Sequence, residues 1–195
     1  MIVETIVTTL DPAGRPHFAA MGVAWGDERL TIRPYLTTRT YRHLVAARAA
    51  VVNVTDDVLA FAKSALEHPP LPVRPATRVA GVVLADVCHW REVEVEAVRV
   101  PPAGPDGSRR AEIVARVVAT GAGRPFVGLC RAKHAVVEAS IVASRVRWLG
   151  AAAALAEVDR LQGVVDRTGG AQEQAAMDLI RAHVRAGPRP ARCSP

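Results

Sequence analysis

The chain has 195 residues, half of them apolar and 23% charged, with a formal net charge of +6. That composition excludes a disordered or fibrous polypeptide. The length suits one domain, or one domain with a helical appendage, burying roughly 70% of the surface its unfolded form exposes. No run approaches 18 uninterrupted apolar residues, and Met1-Ile2-Val3-Glu4 opens without a basic segment, so neither a membrane span nor a signal peptide is expected.

The positive charge invites a nucleic-acid reading. Against it, the basic residues are nearly all Arg, with Lys63 and Lys133 the two lysines, and they are spread along a chain rich in Ala, Val and Pro. This is the residue bias of a GC-rich genome, so nucleic acid is not the expected partner. Cys88, Cys130 and Cys193 are odd in number and form no C-x-x-C pair. A reducing, cytoplasmic setting and no metal site are the expectation.

Val3 to Leu10 reads as a strand, Asp11-Pro12-Ala13-Gly14 as a turn, and Pro16 to Trp25 as the returning strand of a hairpin. Arg29 to Tyr35 is a third strand. Thr40 to Arg48 is a short helix, with Tyr41, Leu44 and Val45 at helical spacing. Ala50 to Thr55 is a fourth, buried strand, and Val58 to Leu66 a short helix. Residues 67–78, with Pro69, Pro70, Pro72 and Pro75, form a loop. From Gly81 to Val100 the period is two. Glu92, Glu94 and Glu96 alternate with Val93, Val95 and Ala97, predicting one wet face and one dry. Residues 101–110 form a hairpin loop, and Ala111 to Thr120 is its partner strand.

Helices follow. Arg131 to Arg145 carries a stripe at Ala132, Val136, Ala139 and Ala143, and Ala151 to Arg167 and Ala171 to Arg185 are separated by Gly169-Gly170. The tail 187–195 is expected to be disordered. About six antiparallel strands followed by helices indicate an α+β barrel.

Two segments carry chemistry. In Arg33-Pro34-Tyr35-Leu36-Thr37-Thr38-Arg39-Thr40-Tyr41-Arg42-His43 a strand ends, three threonines follow, and a helix starts. Free N–H groups, hydroxyls and an adjacent Arg make a phosphate cradle. The same residues also suit a Thr helix cap with solvated arginines. In Arg131-Ala132-Lys133-His134, cations occupy the first turn of a helix, where they oppose its dipole. Either an anion sits there, or the helix begins later, or acidic neighbours compensate.

Other patterns carry less. The glycines from Gly121 to Gly128 imitate a dinucleotide loop, but Pro125 interrupts them and no βαβ unit surrounds them. Cys130 and His134 read as a core thiol beside a helix start, and Asp56-Asp57 as a strand end and helix cap. Neither a nucleophile elbow nor a pair of catalytic carboxylates is evident.

These residues together resemble the uncharacterised flavin-binding split-barrel family (domain-of-unknown-function family 447) of archaea and some C1-metabolising bacteria. The matching segments are Glu4 to Thr9, Arg33-Pro34-Tyr35 with Thr37 to Tyr41, Val52 to Asp57, and Arg131 to Ala139 followed by Ser144-Arg145. One departure is Leu129-Cys130, where a more polar lead-in is expected. The resemblance implies an antiparallel split β-barrel of the FMN-binding type with C-terminal helices, related to pyridoxamine-phosphate oxidase-like flavoproteins. It implies residues 1–147 as the flavin domain, 148–187 as a helical segment and 188–195 as a tail. It also implies FMN between the subunits of a homodimer.

On the same resemblance, Arg33, Thr37, Thr38 and Thr40 hold the FMN phosphate, Tyr35 is a further cofactor-binding residue, Asn53 and Thr55 lie near the ribityl chain or ring, and Lys133 and His134 beside the cofactor. The function implied is an FMN-dependent oxidoreductase acting on a small molecule, linked by association to tetrahydromethanopterin and C1 metabolism. The alternatives are a non-catalytic flavin carrier or sensor, and an anion or nucleic-acid binding module.

Overall fold

Asp11 builds the first turn. Its Oδ1 accepts from the N–H groups of Ala13 and Arg15, both at 2.9 Å, and Gly14 takes a φ of +77°. This fixes the register of β1 (Ile2–Leu10) against β2 (Pro16–Ala24) from Ile2↔Ala24 to Leu10↔Pro16. The computed structural model describes residues 2–67, 70–103, 109–126 and 130–187. The further elements are β3 (Arg29–Ile32), α1 (Arg39–Ala47), β4 (Ala49–Val54), α2 (Val58–Leu66), β5 (Val73–Pro75), β6 (Val82–Leu84), β7 (His89–Arg99), β8 (Glu112–Ala122), α3 (Arg131–Ser144), α4 (Val146–Leu149), α5 (Ala151–Thr168) and α6 (Ala171–Ala186).

The chain divides into two compact units. Met1–Asp57 with His68–Phe126 form a barrel unit, and Val58–Glu67 with Val127–Pro195 a helical unit. In the first, six antiparallel strands close in the order β1-β2-β3-β8-β7-β4, with β4 returning to β1. Alternate residues fill the interior: Val7, Val23, Leu30, Ile32, Ala50, Val52, Val93, Val95, Ile113 and Ala115 are buried together with Leu44 of α1. The expected α+β barrel followed by helices is the fold observed.

The expected long strand 81–100 is two strands. At Cys88 the chain enters the barrel wall, its N–H bonding Val54 O at 3.0 Å. Before that point, β6 pairs with β5, a short strand inside the stretch read as loop.

The wet face of β7 also differs from expectation at one residue. Glu94 and Glu96 are exposed, whereas Glu92 has no solvent exposure. The alternation is correct, but residues 77–79 cover this carboxylate. It accepts from Thr77 N and Thr77 Oγ1 at 2.9 Å, Arg78 N at 2.6 Å and Val79 N at 3.2 Å. Neighbouring outward groups hold the same segment. Thr8 Oγ1 donates to Val82 O, and Leu84 N donates to Asn53 Oδ1 at 3.0 Å. The segment 73–84 is thus strapped across the outer side of β1, β4 and β7 by polar side chains.

In the helical unit the small-residue stripe of α3 is buried as Ala132, Val136, Ala139 and Ala143, alongside Val158, Leu161 and Val165 of α5 and Met177, Ile180 and Val184 of α6. Small side chains let helices approach closely, and α3 groups with α2 and the later helices rather than with the barrel strands. α4 is an additional turn not expected from the sequence. Residues 188–195, expected as a disordered tail, and 104–108 of the hairpin loop lie outside the described residues. Among the described residues no helix is long and apolar enough to cross a membrane.

Burial raises the pKa of Glu92, but the N–H groups of Thr77, Arg78 and Val79 and the Thr77 hydroxyl together outweigh burial and hold the carboxyl below its ordinary value of 4.5. A depressed pKa contributes stability above the unfolded value, and that stability is lost as pH falls through the folded one. Glu92→Gln turns an amide toward three N–H donors, at an expected cost of about 1–3 kcal/mol at pH 7. Urea unfolding of both proteins from pH 7 downward should show the difference shrinking below pH 4.5. A difference that stays constant into acid would contradict the strap's ionic anchor.

Candidate functional site

The segment after β3 is held by the return strand before β8. Ala111 N donates to Pro34 O at 3.0 Å, Leu36 N to Arg109 O at 3.1 Å, and Tyr35 bridges antiparallel to Arg110. The Arg110 guanidinium lies over the Tyr35 ring at 4.2 Å and also donates to the Tyr35 hydroxyl. The Tyr35 carbonyl accepts twice from Thr38, from its N–H at 3.1 Å and its hydroxyl at 2.7 Å. Thr38 is the N-cap of α1, its Oγ1 accepting from Tyr41 N at 3.3 Å.

α1 then runs into the barrel core through Leu44, which has no exposure. The helix stops at Arg48, in the left-handed region with φ +55°. There the chain locks to β7: Val95 N donates to Arg48 O at 2.8 Å, and Arg48 Nη2 donates to Val95 O at 2.8 Å. Both ends of α1 are therefore fixed. Its first turn holds no acidic residue and starts with Arg39. The earliest N–H groups of a helix precede any intrahelical acceptor, so this end presents donors and positive dipole to an anion.

On the flank of the same helix, His43 Nδ1 lies 3.0 Å from Thr9 Oγ1, and its ring meets His17 edge-on at 5.6 Å. Burial lowers the His43 pKa, Arg42 and Arg39 lower it further, and Asp11 opposes them.

The residues expected at a cofactor fall into three groups. Tyr35, Thr37, Thr38 and Thr40 stand at the start of α1. Thr37 is exposed, Thr38 is the cap, and Thr40 is buried at 1% exposure. Arg33 precedes them, half exposed, its Nη2 3.1 Å from Glu112 Oε2. Asn53 and Thr55 lie at the end of β4 and are engaged locally. Asn53 Nδ2 donates to Ile6 O at 3.0 Å and to Thr8 Oγ1 and Val51 O at 3.3 Å, and Thr55 Oγ1 accepts from Asp57 N at 3.1 Å. Lys133 and His134 belong to the first turn of α3 in the helical unit. Lys133 Nζ is 3.9 Å from Glu173 Oε1, and Glu173 Oε2 accepts from Gly170 N at 2.8 Å, capping α6. Glu173 is thus an acidic neighbour of the Lys133 charge, one of the three alternatives the sequence leaves open. His134 is exposed.

The structure adds residues that the sequence did not single out. Arg110 sat in a hairpin loop with no visible partner, and only the pairing with Tyr35 reveals it. Asp56, read as a strand end and cap, is buried and pairs with Arg124, which also reaches Asp86. The Cys88 thiol donates to Asp56 at 3.7 Å. Of the glycines that imitate a dinucleotide loop, Gly121 and Gly123 answer to packing and Gly128 lies outside the described residues. A Cβ on Gly121 would fall 2.0 Å from the Trp90 ring, and one on Gly123 would fall 2.0 Å from Val87 O. Among the described residues no group of three His, Cys, Asp or Glu side chains is arranged to hold a metal ion.

A family model described as the N-terminal domain of a protein of unknown function, DUF447, matches residues 3–120, and a second, described as DUF447, matches residues 130–182. No curated protein matches the chain. Among solved structures, an FMN-bound DUF447 protein from Methanosarcina mazei is 22% identical with a TM-score of 0.77, over 93% of this chain and 94% of that one. Nitrilotriacetate monooxygenase component B from Bacillus cereus is 14% identical with a TM-score of 0.55, over 64% and 71%. The styrene monooxygenase flavin reductase from Pseudomonas putida S12 is 17% identical with a TM-score of 0.51, over 64% and 82%. These likenesses share the barrel fold.

The two acids on Arg124 differ in burial, the Asp56 side chain being 5% exposed and that of Asp86 59%. Asp56→Asn should cost about 1–3 kcal/mol, because the buried end of the guanidinium loses its counter-charge, whereas Asp86→Asn should cost under about 1 kcal/mol. Denaturant melts of the two variants check this. Equal losses would show that burial does not grade the pair.

Proposed function

The chain belongs to the DUF447 family, and from that premise we propose that it is an FMN-binding flavoprotein whose barrel serves a flavin-dependent oxidoreductase. The observation that carries the reading is the start of α1, an acid-free first turn capped by Thr38, with the exposed Thr37 and Arg39 adjoining it and the exposed Arg33 four residues before Thr37 in the chain. This donor set suits the terminal phosphate of FMN, about −1.5 to −2 in charge. The FMN bound by the Methanosarcina mazei protein supports the choice of cofactor. The flavin-reductase names of other barrels with this fold support redox chemistry.

When bound, FMN supplies the hydride and electron transfer. The residues of this chain bind and orient it. Thr37 offers a hydroxyl, Arg33 a cation, and α1 its N–H groups, while Tyr35 and Thr38 hold the loop in shape. Arg33 is paired with Glu112 across a half-exposed surface, a weak tie that a phosphate dianion can replace. Asn53 and Thr55 bond within the barrel unit and Lys133 lies beside Glu173, and the cradle at α1 does not call on them.

The reading extends to a homodimer in the cytoplasm. The small-residue face of α3 is buried within its own helical unit and supplies no dimer surface. The support comes instead from large apolar side chains left exposed, Phe126 at 56%, Trp148 at 58% and Leu149 at 49%. Sedimentation at micromolar concentration should give twice the chain mass. A monomer carrying flavin would refute the dimer.

Arg33 and Thr37 are both exposed, so Arg33→Ala with Thr37→Ala should leave the fold intact. FMN binding should weaken by about 2–3 kcal/mol, on the order of a hundredfold. Titration with FMN checks this, and unchanged affinity would remove the cradle. Steady-state oxidation of a reduced nicotinamide by the FMN-loaded protein tests the redox half of the reading.

A further inference from the structure

The cradle residues owe their placement to one side chain outside the segment that carries them. We infer that Arg110 is a positioning residue for the phosphate end of the cofactor, acting through Tyr35, an inference that rests on the FMN reading above. Arg110 grips Tyr35 twice, by stacking at 4.2 Å and by a hydrogen bond to the hydroxyl, so the ring is fixed both in plane and in rotation. The backbone at Tyr35 is gripped on either side as well, through Pro34 O to Ala111 N and Leu36 N to Arg109 O.

From Tyr35 the constraint passes directly to α1. The Tyr35 carbonyl is the acceptor for both the N–H and the hydroxyl of Thr38, and the Thr38 hydroxyl in turn caps Tyr41 N. The chain of contacts therefore runs Arg110, Tyr35, Thr38, α1 N-terminus. Thr37 lies inside this closed loop, so its exposed hydroxyl has a defined place. A loop held in its binding shape before the ligand arrives loses little conformational freedom on binding.

The geometry of Arg110 also demands a guanidinium. Lys in its place keeps the charge but cannot both stack on the ring and reach the hydroxyl. Charge alone and positioning therefore separate experimentally. If Arg110 acted as a bare counter-ion, Arg110→Lys would be nearly silent. If it acts through Tyr35, Arg110→Lys should behave like a lesion of the loop.

The experiment uses the full chain with Arg110→Lys, Tyr35→Leu and both together, titrated with FMN and with riboflavin, which lacks the phosphate. Thermal unfolding establishes that each variant is folded. Arg110→Lys is expected to weaken FMN roughly tenfold while leaving riboflavin affinity unchanged. The double variant should lose no more FMN affinity than Tyr35→Leu alone, because the two residues act in series. Wild-type FMN affinity in Arg110→Lys overturns the inference, as does an equal loss for riboflavin or a fully additive double variant. If Tyr35→Leu does not fold, Arg110→Lys with the two ligands decides the matter alone. A wild type that prefers FMN while Arg110→Lys is silent contradicts only the role of Arg110. A wild type that binds FMN and riboflavin alike, or neither, contradicts the phosphate reading and this inference with it.

Discussion

The barrel closes where β1 meets β4, along three residue pairs, Ile6↔Asn53, Val7↔Val52 and Thr8↔Val51. Such a short ladder needs more than its backbone bonds. Asn53 supplies the rest, its amide nitrogen reaching Ile6 O and Thr8 Oγ1 on β1 while its oxygen accepts from Leu84 N on β6. With the seam shut, Val7 and Val52 face the interior and no strand edge is left open there. With the same side chains, the strap 73–84 is tied over the outer surface, and Glu92 completes the tie at residues 77–79. A buried polar side chain is costly unless fully bonded, which is why Asn53, Thr8 and Glu92 also specify this closure rather than a slipped one.

The closed barrel gives α1 a fixed seat. Leu44 enters the core, Arg48 turns the chain in the left-handed region into β4 and bonds Val95 of β7, and Thr38, itself held by the Tyr35 carbonyl, caps the opposite end. A helix of nine residues is marginal by itself. Here it is held at both termini and on one face, so its N-terminal donors cannot drift. The site depends less on any single ligand-binding residue than on this rigidity, and Arg110 belongs to the same logic.

Much of the architecture was legible in the chain. Alternation in the strands, the Asp11 turn, and the period of Ala132, Val136, Ala139 and Ala143 all reflect local rules that the fold obeys. What was not legible depended on segments distant in sequence. Glu92 follows the same alternation as Glu94, and only the fold of residues 77–79 over it separates the two. Asn53, which the resemblance puts near the ribityl chain or ring, is a polar residue in a valine strand, and nothing local shows that Ile6, Thr8 and Leu84 engage its amide. Lys133 in a helix first turn asks for an anion, and the anion in contact is Glu173, forty residues on. Arg110 needed its partner Tyr35, 75 residues away in the chain. The segment proposed for the phosphate is legible because its threonines, arginines and helix start are contiguous.

The central claim is that this barrel carries FMN at the start of α1. Titration of the purified protein with FMN, followed by visible absorption and equilibrium dialysis, tests it most directly. The expected result is a flavin spectrum perturbed from that of free FMN, saturating at one FMN per chain and retained against buffer. A spectrum identical to free FMN throughout the titration, with all flavin lost on dialysis, would contradict the account.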